Sequence, residues 1–102
     1  MYASVRRYTA NPGVADKFAA RRTDIEKVIK TTPGLIAYYM LKTTDGAVTV
    51  TVCDNQTGAE ASNRIAADWI KQNMPTIVTK PPEIYAGDIV ITTTTQTTGP
   101  RG

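Results

Sequence analysis

Residues 35–54 read LIAYYMLKTTDGAVTVTVCD, two β-prone runs on either side of an Asp-Gly pair. Asp-Gly is typical of the two-residue type I′ turn that joins antiparallel strands, so this stretch is predicted to form a β-hairpin. With Asp45 and Gly46 as the loop, Tyr39 is expected to pair with Val52. One face of the hairpin then carries Leu35, Ala37, Tyr39, Leu41, Val48, Val50 and Val52, and the other carries Ile36, Tyr38, Met40, Lys42, Thr49, Thr51 and Cys53. We expect the first face, which is the more uniformly apolar, to form the core against helices.

The segments that flank the hairpin supply one strand and one helix on each side. Period-two alternation and helical spacing predict strands over residues 2–9, 35–43, 47–54 and 83–91, and helices over residues 12–30 and 55–73. Asn11 and Pro12 suit the start of the first helix, and either a capping box from Thr57 to Glu60 or Asp54 suits the start of the second. Two right-handed crossovers around a central hairpin give an α+β, ferredoxin-like βαββαβ fold, with a four-stranded antiparallel sheet and two helices on one face.

The sheet face away from the helices needs a cover of its own. We assign Ile36, Tyr38 and Met40 to that face, together with one face of the last strand. Monomeric proteins rarely expose a contiguous apolar surface of this size. A second sheet from a second copy of the chain covers it most simply, so the sequence predicts a two-fold homodimer.

Length and composition limit the class of protein. The 102 residues suit one domain, predicted over residues 1–92, and the Thr-rich residues 93–102 are expected to be disordered or partly to extend the last strand. Twelve Lys and Arg against nine Asp and Glu give a net charge of +3, too small to indicate a nucleic acid or a membrane as partner. The third strand also lacks the aromatic side chains on which RNA-recognition domains stack bases. Without a signal sequence or a long apolar run, the chain is expected to be cytoplasmic.

Two residue counts restrict the chemistry further. The chain has no histidine, which excludes histidine acid–base catalysis and histidine ligands to a metal or haem. Its single cysteine, Cys53, excludes an internal disulfide and every Cys-x-x-Cys motif, and we expect it to be a small buried apolar residue. No cofactor and no metal are therefore predicted.

At the level of these elements, the chain resembles the antibiotic-biosynthesis-monooxygenase-like group of the dimeric α/β-barrel superfamily. The likeness covers about residues 1–92 and rests on MYASVRRY, PGLIAYYML, the Asp-Gly hairpin, CDNQTGAEASNRIAADWIKQN and PPEIYAGDIVI. It implies two protomers that close a barrel, each with a pocket between sheet and helices. Characterised members oxidise aromatic polyketides or quinol-like compounds with O₂ and without metal or flavin. Related members degrade haem and need a histidine in a segment that corresponds here to residues 75–82, which contain none.

Three residues are the candidates for catalysis in such a pocket. Trp69 resembles a tryptophan of the family in this region and is expected to form a wall of the pocket or, alternatively, part of the core. Tyr39 places a hydroxyl on an otherwise apolar face, where it would contact a ligand oxygen, a backbone group or solvent. Arg7 alternates with Val5 and is expected to face the helices, where it would bind a carboxylate such as Asp68 or an anionic ligand, unless it extends into solvent.

Two functional hypotheses follow. The first is a cofactor-independent monooxygenase that acts on a small aromatic or quinol-type substrate. The second is a non-catalytic dimeric module that binds a small hydrophobic molecule or serves in a larger assembly. O₂ uptake separates the two, because only the first predicts turnover.

Overall fold

The computed structural model describes residues 1–9 and 13–95. Within these residues, strands and helices follow one another as β1 (Tyr2–Tyr8), α1 (Val14–Ala20), α2 (Arg22–Ile29), β2 (Leu35–Thr43), β3 (Gly46–Cys53), α3 (Gln56–Asn73) and β4 (Glu83–Asp88). The strands form one antiparallel sheet in the order β2-β3-β1-β4, and the helices pack on one side of it. The ferredoxin-like fold predicted from the sequence is confirmed.

The first helix is broken, which corrects the prediction of a single helix over residues 12–30. Arg21 leaves helical geometry with φ −109° and ψ 26°, and its backbone N–H donates to the carbonyl of Phe18 in a tighter turn. The Arg21 side chain is held by Asp24 at 3.0 Å and lies over the ring of Trp69, 5.3 Å from its centroid. The predicted helix start at Asn11 and Pro12 lies outside the described residues.

Helix α3 begins at a different cap from those predicted. Asn55 is the N-cap, and its Oδ1 accepts a hydrogen bond from the backbone N–H of Gly58 at 3.1 Å. A side chain at Gly58 would meet the carbonyl oxygen of Pro33 at 2.3 Å and the Cβ of Cys53 at 3.1 Å. Glycine at this position therefore lets the first turn of α3 approach the end of β3 closely.

The hairpin turns one residue earlier than predicted. Tyr39 pairs with Val50, not with Val52, and the loop consists of Thr44 and Asp45. Gly46 begins β3 in such close contact with β1 that a Cβ would lie 1.8 Å from the carbonyl oxygen of Tyr8. This contact requires glycine within the strand, so the Asp-Gly pair does not act as the loop itself.

The sheet presents to the helices the face that the sequence had assigned to a dimer interface, so this part of the prediction is wrong. Buried Ser4, Arg6 and Tyr8 of β1 and Thr49 and Thr51 of β3 face the helices. Tyr38 and Met40 of β2 join the same side and pack against the core, which also contains Val14, Phe18, Ile25, Ile29 and Met74. A β-bulge between Leu35 and Ala37 turns Leu35 towards the core as well. Local alternation identifies two faces but does not say which one the helices cover.

The opposite side, here called the outer sheet face, carries most of the apolar set that had been predicted as the core. Its members are Ala3, Val5, Ala37, Tyr39, Leu41, Val48, Val50, Val52 and Tyr85. Four of them, Tyr39, Val50, Val5 and Tyr85, lie in register across all four strands. No described element covers this row, and Tyr39 and Tyr85 are 60% and 57% exposed.

The last strand is shorter than the predicted residues 83–91. Pairing with β1 continues for one further hydrogen bond, from the backbone N–H of Ile89 to the carbonyl of Met1. Val90 and Ile91 are 87% and 82% exposed. Across the described segments, no helix has both the length and the apolar character of a membrane span.

Candidate ligand-binding site around Arg6

Arg6 is the largest fully buried side chain among the described residues, with 1% of its surface exposed. Strand alternation places it on the helix side of β1, between Ser4 and Tyr8. Its neighbours in register across the sheet are Thr49 of β3 and Ile84 of β4. A guanidinium is rarely buried without a partner, so the groups around Arg6 decide what it can do.

Three neutral side chains accept hydrogen bonds from the Arg6 guanidinium. One terminal nitrogen donates to the Oγ of Ser62 at 3.1 Å and to the Oδ1 of Asn63 at 3.0 Å, and the other donates to the Oγ1 of Thr51 at 3.0 Å. The Oγ of Ser4 also donates to the Oδ1 of Asn63, at 2.7 Å. Because both contacts of Asn63 use Oδ1, its Nδ2 amide group remains as a donor for a ligand.

The positive charge of Arg6 is not neutralised by a neighbouring carboxylate. Over residues 1–9 and 13–95, every ion pair present joins other, exposed side chains. The Nε of Arg6 is buried without a hydrogen-bond partner, as is the Oγ1 of Thr49 beside it in the sheet. Burying an ion costs several kcal/mol, which neutral hydrogen bonds offset only in part. A buried cation without a carboxylate partner among the described residues is therefore suited to an anionic or electron-rich ligand.

Two tyrosine hydroxyls near Arg6 stay protonated at neutral pH. Burial raises the pKa of Tyr38 to about 12, although the nearby Arg6 guanidinium acts in the opposite direction. Burial likewise raises the pKa of Tyr8, against the same effect of Arg6. Both residues thus serve as neutral hydrogen-bonding groups and not as bases.

A cavity of about 570 Å³ adjoins this cluster and is here called the Arg6 cavity. It lies between α3, the connection from α3 to β4, and strands β1 and β4, and its volume is in the range of small-molecule sites. Apolar residues form most of the wall, namely Ala67, Ile70, Pro75, Val78, Pro81, Pro82 and Ile84. The polar residues are Arg6, Tyr8, Asn63, Lys71, Thr79 and Lys80. No carboxylate is among the lining residues, so the charge of the lining is positive.

Trp69 lines a different and nearly filled space. That space measures about 20 Å³ and lies deeper between α3, α2 and the sheet, against Tyr8, Phe18 and Thr49. Tyr8 and Ile70 border both this space and the Arg6 cavity. A third and larger space of about 650 Å³ lies along β2 and the two short helices, where Tyr38 and Met40 belong to its apolar wall.

Two of the three predicted site residues point away from the helices. Arg7 lies on the outer sheet face and forms ion pairs at 2.8 Å with Asp45 and with Glu83, whereas it was expected to face the helices and Asp68. Tyr39 is on the same outer face. The predicted orientation of both is wrong because β1 and β2 face the helices with the alternate residues, Arg6 and Tyr38.

Cys53 is buried with a free thiol, as the sequence predicted, but it lies on the helix side of the sheet near Gly58 and not on a dimer face. Burial raises the pKa of that thiol, which disfavours the reactive thiolate. Within the described residues, histidine, cysteine and carboxylate side chains form no group of three that would hold a metal ion.

Sequence reasoning did not bring together Arg6, Thr51, Ser62 and Asn63. A signal was present, because Ser4, Arg6 and Tyr8 alternate along β1 just as Ala3, Val5 and Arg7 do. A polar face that also carries aromatic residues fits the lining of a site, and an apolar face fits an interface with another sheet. The opposite assignment followed from choosing the more apolar face as the core.

No family model and no curated protein matches the sequence. Solved structures do match. A protein of unknown function from Nitrosomonas europaea, NE2512, is 21% identical, with a TM-score of 0.69 over 93% of this chain and 94% of that one. A variant of MhuD with two manganese protoporphyrin IX molecules bound per active site is 13% identical, with a TM-score of 0.71 over 93% of this chain and 100% of that one.

A third structure is a monooxygenase from Streptomyces coelicolor, ActVA-Orf6, in complex with the ligand nanaomycin D. It is 16% identical to this chain, with a TM-score of 0.58 over 89% of this chain and 91% of that one. At these identities the likeness establishes the fold and not the chemistry. The chain therefore has the fold of the antibiotic-biosynthesis-monooxygenase-like proteins, as its sequence predicted.

Proposed function

We propose that the chain is a cofactor-independent monooxygenase that oxidises a small aromatic or quinol-type compound in the Arg6 cavity. The observation that carries this proposal is the buried guanidinium without a carboxylate partner at the wall of a largely apolar space of about 570 Å³. A site of this kind stabilises negative charge that develops on a ring oxygen. The shared fold with a monooxygenase supports the same reaction class.

The chemistry is simplest for an anthrone-type substrate. Loss of one proton from the ring methylene gives an enolate, and the enolate transfers electrons to O₂ and forms a carbon–oxygen bond. The resulting peroxide takes up a proton, and its oxygen–oxygen bond breaks as the second methylene hydrogen leaves. One oxygen atom becomes the new carbonyl of the quinone, and the other leaves as water. O₂ is reduced and the methylene carbon is oxidised, so the step needs no further reductant.

Three residues of the site have separate roles in this reaction. Arg6 stabilises the enolate oxygen, which lowers the pKa of the bound substrate and favours its loss of a proton to water. Asn63 orients the same oxygen through its Nδ2 group, since its Oδ1 is occupied by Ser4 and Arg6. Neutral Tyr8 supplies a further hydroxyl at the cavity wall.

O₂ consumption with anthrone and with a simple hydroquinol tests the proposal. Arg6→Met is expected to lower the rate by roughly 100-fold, the loss typical of removing one oxyanion-stabilising group. Arg64→Met removes an exposed arginine of α3 that follows Asn63 and does not line the Arg6 cavity. This variant is the matched control and is expected to keep the rate. No uptake by the unaltered chain with either compound would reject the monooxygenase.

The catalytic roles predicted for Trp69, Tyr39 and Arg7 remain proposals that the same assay tests. Trp69→Phe keeps an aromatic ring at the inner space and removes only the indole N–H. Tyr39→Phe and Arg7→Ala alter the outer sheet face. A rate equal to that of the unaltered chain in any of these variants removes that residue from the mechanism.

Binding without turnover is the second candidate function. It is favoured by the lining of the Arg6 cavity, which holds no carboxylate, and by the sequence, which contains no histidine. A site without these groups lacks the usual bases for proton abstraction. Thermal stabilisation by an aromatic ligand together with zero O₂ consumption would support this candidate.

We also infer that a second copy of the chain covers the outer sheet face. The support is the apolar row of Tyr39, Val50, Val5 and Tyr85, which crosses all four strands without a covering element. Two such sheets packed face to face bury both rows. Sedimentation at micromolar concentration is expected to give twice the mass of one chain, and Val50→Lys is expected to give a single chain. A single chain for the unaltered protein would refute the homodimer.

A further inference from the structure

We infer that the ligand of the Arg6 cavity is an aromatic anion, most simply a ring that bears a carboxylate. This inference rests on the proposed function for the location of the site and adds the chemical class of the compound that enters it. Three cationic side chains line the cavity, Arg6 at its buried wall and Lys71 and Lys80 on exposed positions. No acidic side chain is among the lining residues to compete with a ligand.

The buried cation is the part of the site that points to a charged ligand. Arg6 is 99% buried, and its Nε donor has no partner among the residues that the structure describes. Its existing hydrogen bonds go to the neutral acceptors of Thr51, Ser62 and Asn63. An anionic oxygen in the cavity would supply the missing counter-charge, and the burial of Arg6 makes this attraction stronger than that between two charges in bulk water.

The lysines add to this selection at longer range. Lys71 projects from α3 and Lys80 from the connection to β4, and in the described segments neither forms an ion pair. Glu83, which lies close enough to Lys80 for their charges to interact, already forms an ion pair with Arg7 at 2.8 Å. Both ammonium groups are therefore able to attract an anion to the cavity, with a strength that falls as salt is added.

The apolar wall requires that the anion carry a ring. Ile70, Val78 and Ile84 line the cavity together with three prolines, so a small hydrated anion would leave most of the wall unfilled. A bicyclic acid fills a space of this size and brings one charge to the cationic side chains. The inference thus separates an aromatic acid both from a neutral aromatic compound and from a simple anion.

Calorimetric titration with matched probes tests the inference. We expect 2-naphthoate to bind roughly 10- to 100-fold more tightly than its neutral isostere 2-naphthamide at low salt, the range of a hydrogen bond to a charged group. Acetate is expected to bind far more weakly than either. Arg6→Met is expected to remove the preference for the acid, and the double variant Lys71→Gln with Lys80→Gln is expected to reduce it several-fold and to flatten its dependence on salt. Arg64→Met is expected to preserve it.

The outcomes distinguish this inference from the proposed function. The inference of an aromatic anion would be overturned by equal affinities for naphthoate and naphthamide or by an unchanged preference in Arg6→Met. It would also be overturned if neither compound bound. Selective binding of naphthoate without any O₂ consumption would reject the monooxygenase and leave the ligand class standing. Oxidation of neutral anthrone without preferential binding of naphthoate would support the monooxygenase and reject the aromatic anion as the ligand class.

Discussion

Replacing Arg6 by methionine is expected to leave the protein folded with nearly unchanged stability while it removes the preference for an anionic ligand. Truncation of a buried hydrogen-bond network usually destabilises a protein, so this outcome distinguishes a functional arginine from a structural one. Methionine keeps an unbranched apolar side chain in the space of the arginine stem and needs no hydrogen-bond partner.

The magnitude follows from the partners that Arg6 leaves behind. Ser62 retains its hydrogen bond to the carbonyl of Ala59 at 2.6 Å, and Asn63 retains its bond from Ser4 at 2.7 Å. The Oγ1 of Thr51 loses the one side-chain hydrogen bond that it makes with the described residues, at a cost of about 1–3 kcal/mol. Relief of the burial penalty of the ion, several kcal/mol, opposes this cost. The net change in the free energy of unfolding is expected to be within about 2 kcal/mol of zero.

Urea unfolding at a fixed protein concentration, followed by the fluorescence of the single tryptophan, measures this change. Thr51→Val in the Arg6→Met background removes the unpaired hydroxyl and is expected to recover about 1 kcal/mol. Arg6→Ala, which also leaves a void, is expected to lose about 2–4 kcal/mol. A loss above about 4 kcal/mol in Arg6→Met would refute the reasoning, because that is the cost of breaking an essential buried pair.

Two further predictions concern stability. Because the pKa of Tyr38 is raised from 10.0 to about 12, the unfolded state loses its proton first, so the free energy of unfolding should fall by up to roughly 3 kcal/mol between pH 10 and 12. Urea titrations over this range should show a weaker fall in Tyr38→Phe than in the unaltered chain; identical profiles for the two would contradict the assignment. Gly58→Ala is expected to destabilise the fold by about 1–3 kcal/mol, since its Cβ would lie 2.3 Å from the oxygen of Pro33. Gly87→Ala, with nothing within 4 Å, is the control, and equal midpoints would disprove the clash.

The order of the elements was readable from the sequence because it depends on local patterns. Alternation over residues 35–54 predicted the hairpin, and the helical spacing of Ile65 and Trp69 predicted α3. Two of the details that failed involve contacts distant in the chain. The turn moved because Gly46 packs against Tyr8, and the cap of α3 is Asn55 where its first turn approaches Pro33.

The candidate site was less accessible to sequence reasoning than the fold. Its polar residues come from β1, β3 and α3, and Arg6 and Ser62 are 56 positions apart. Each one alone is an ordinary strand or helix residue. Their function as a group depends on which side of β1 meets α3, and a strand pattern is equally consistent with either side.

The amino-acid sequence by itself determined the βαββαβ order, the two unlike faces of the sheet and the lack of histidine chemistry. Only the tertiary structure decided that the polar face meets the helices, that Arg6 and not Arg7 is buried, and that a cavity opens beside it. The physical reason is that periodicity is a property of neighbouring residues. The burial of a charge, by contrast, depends on the environment that distant segments create around it.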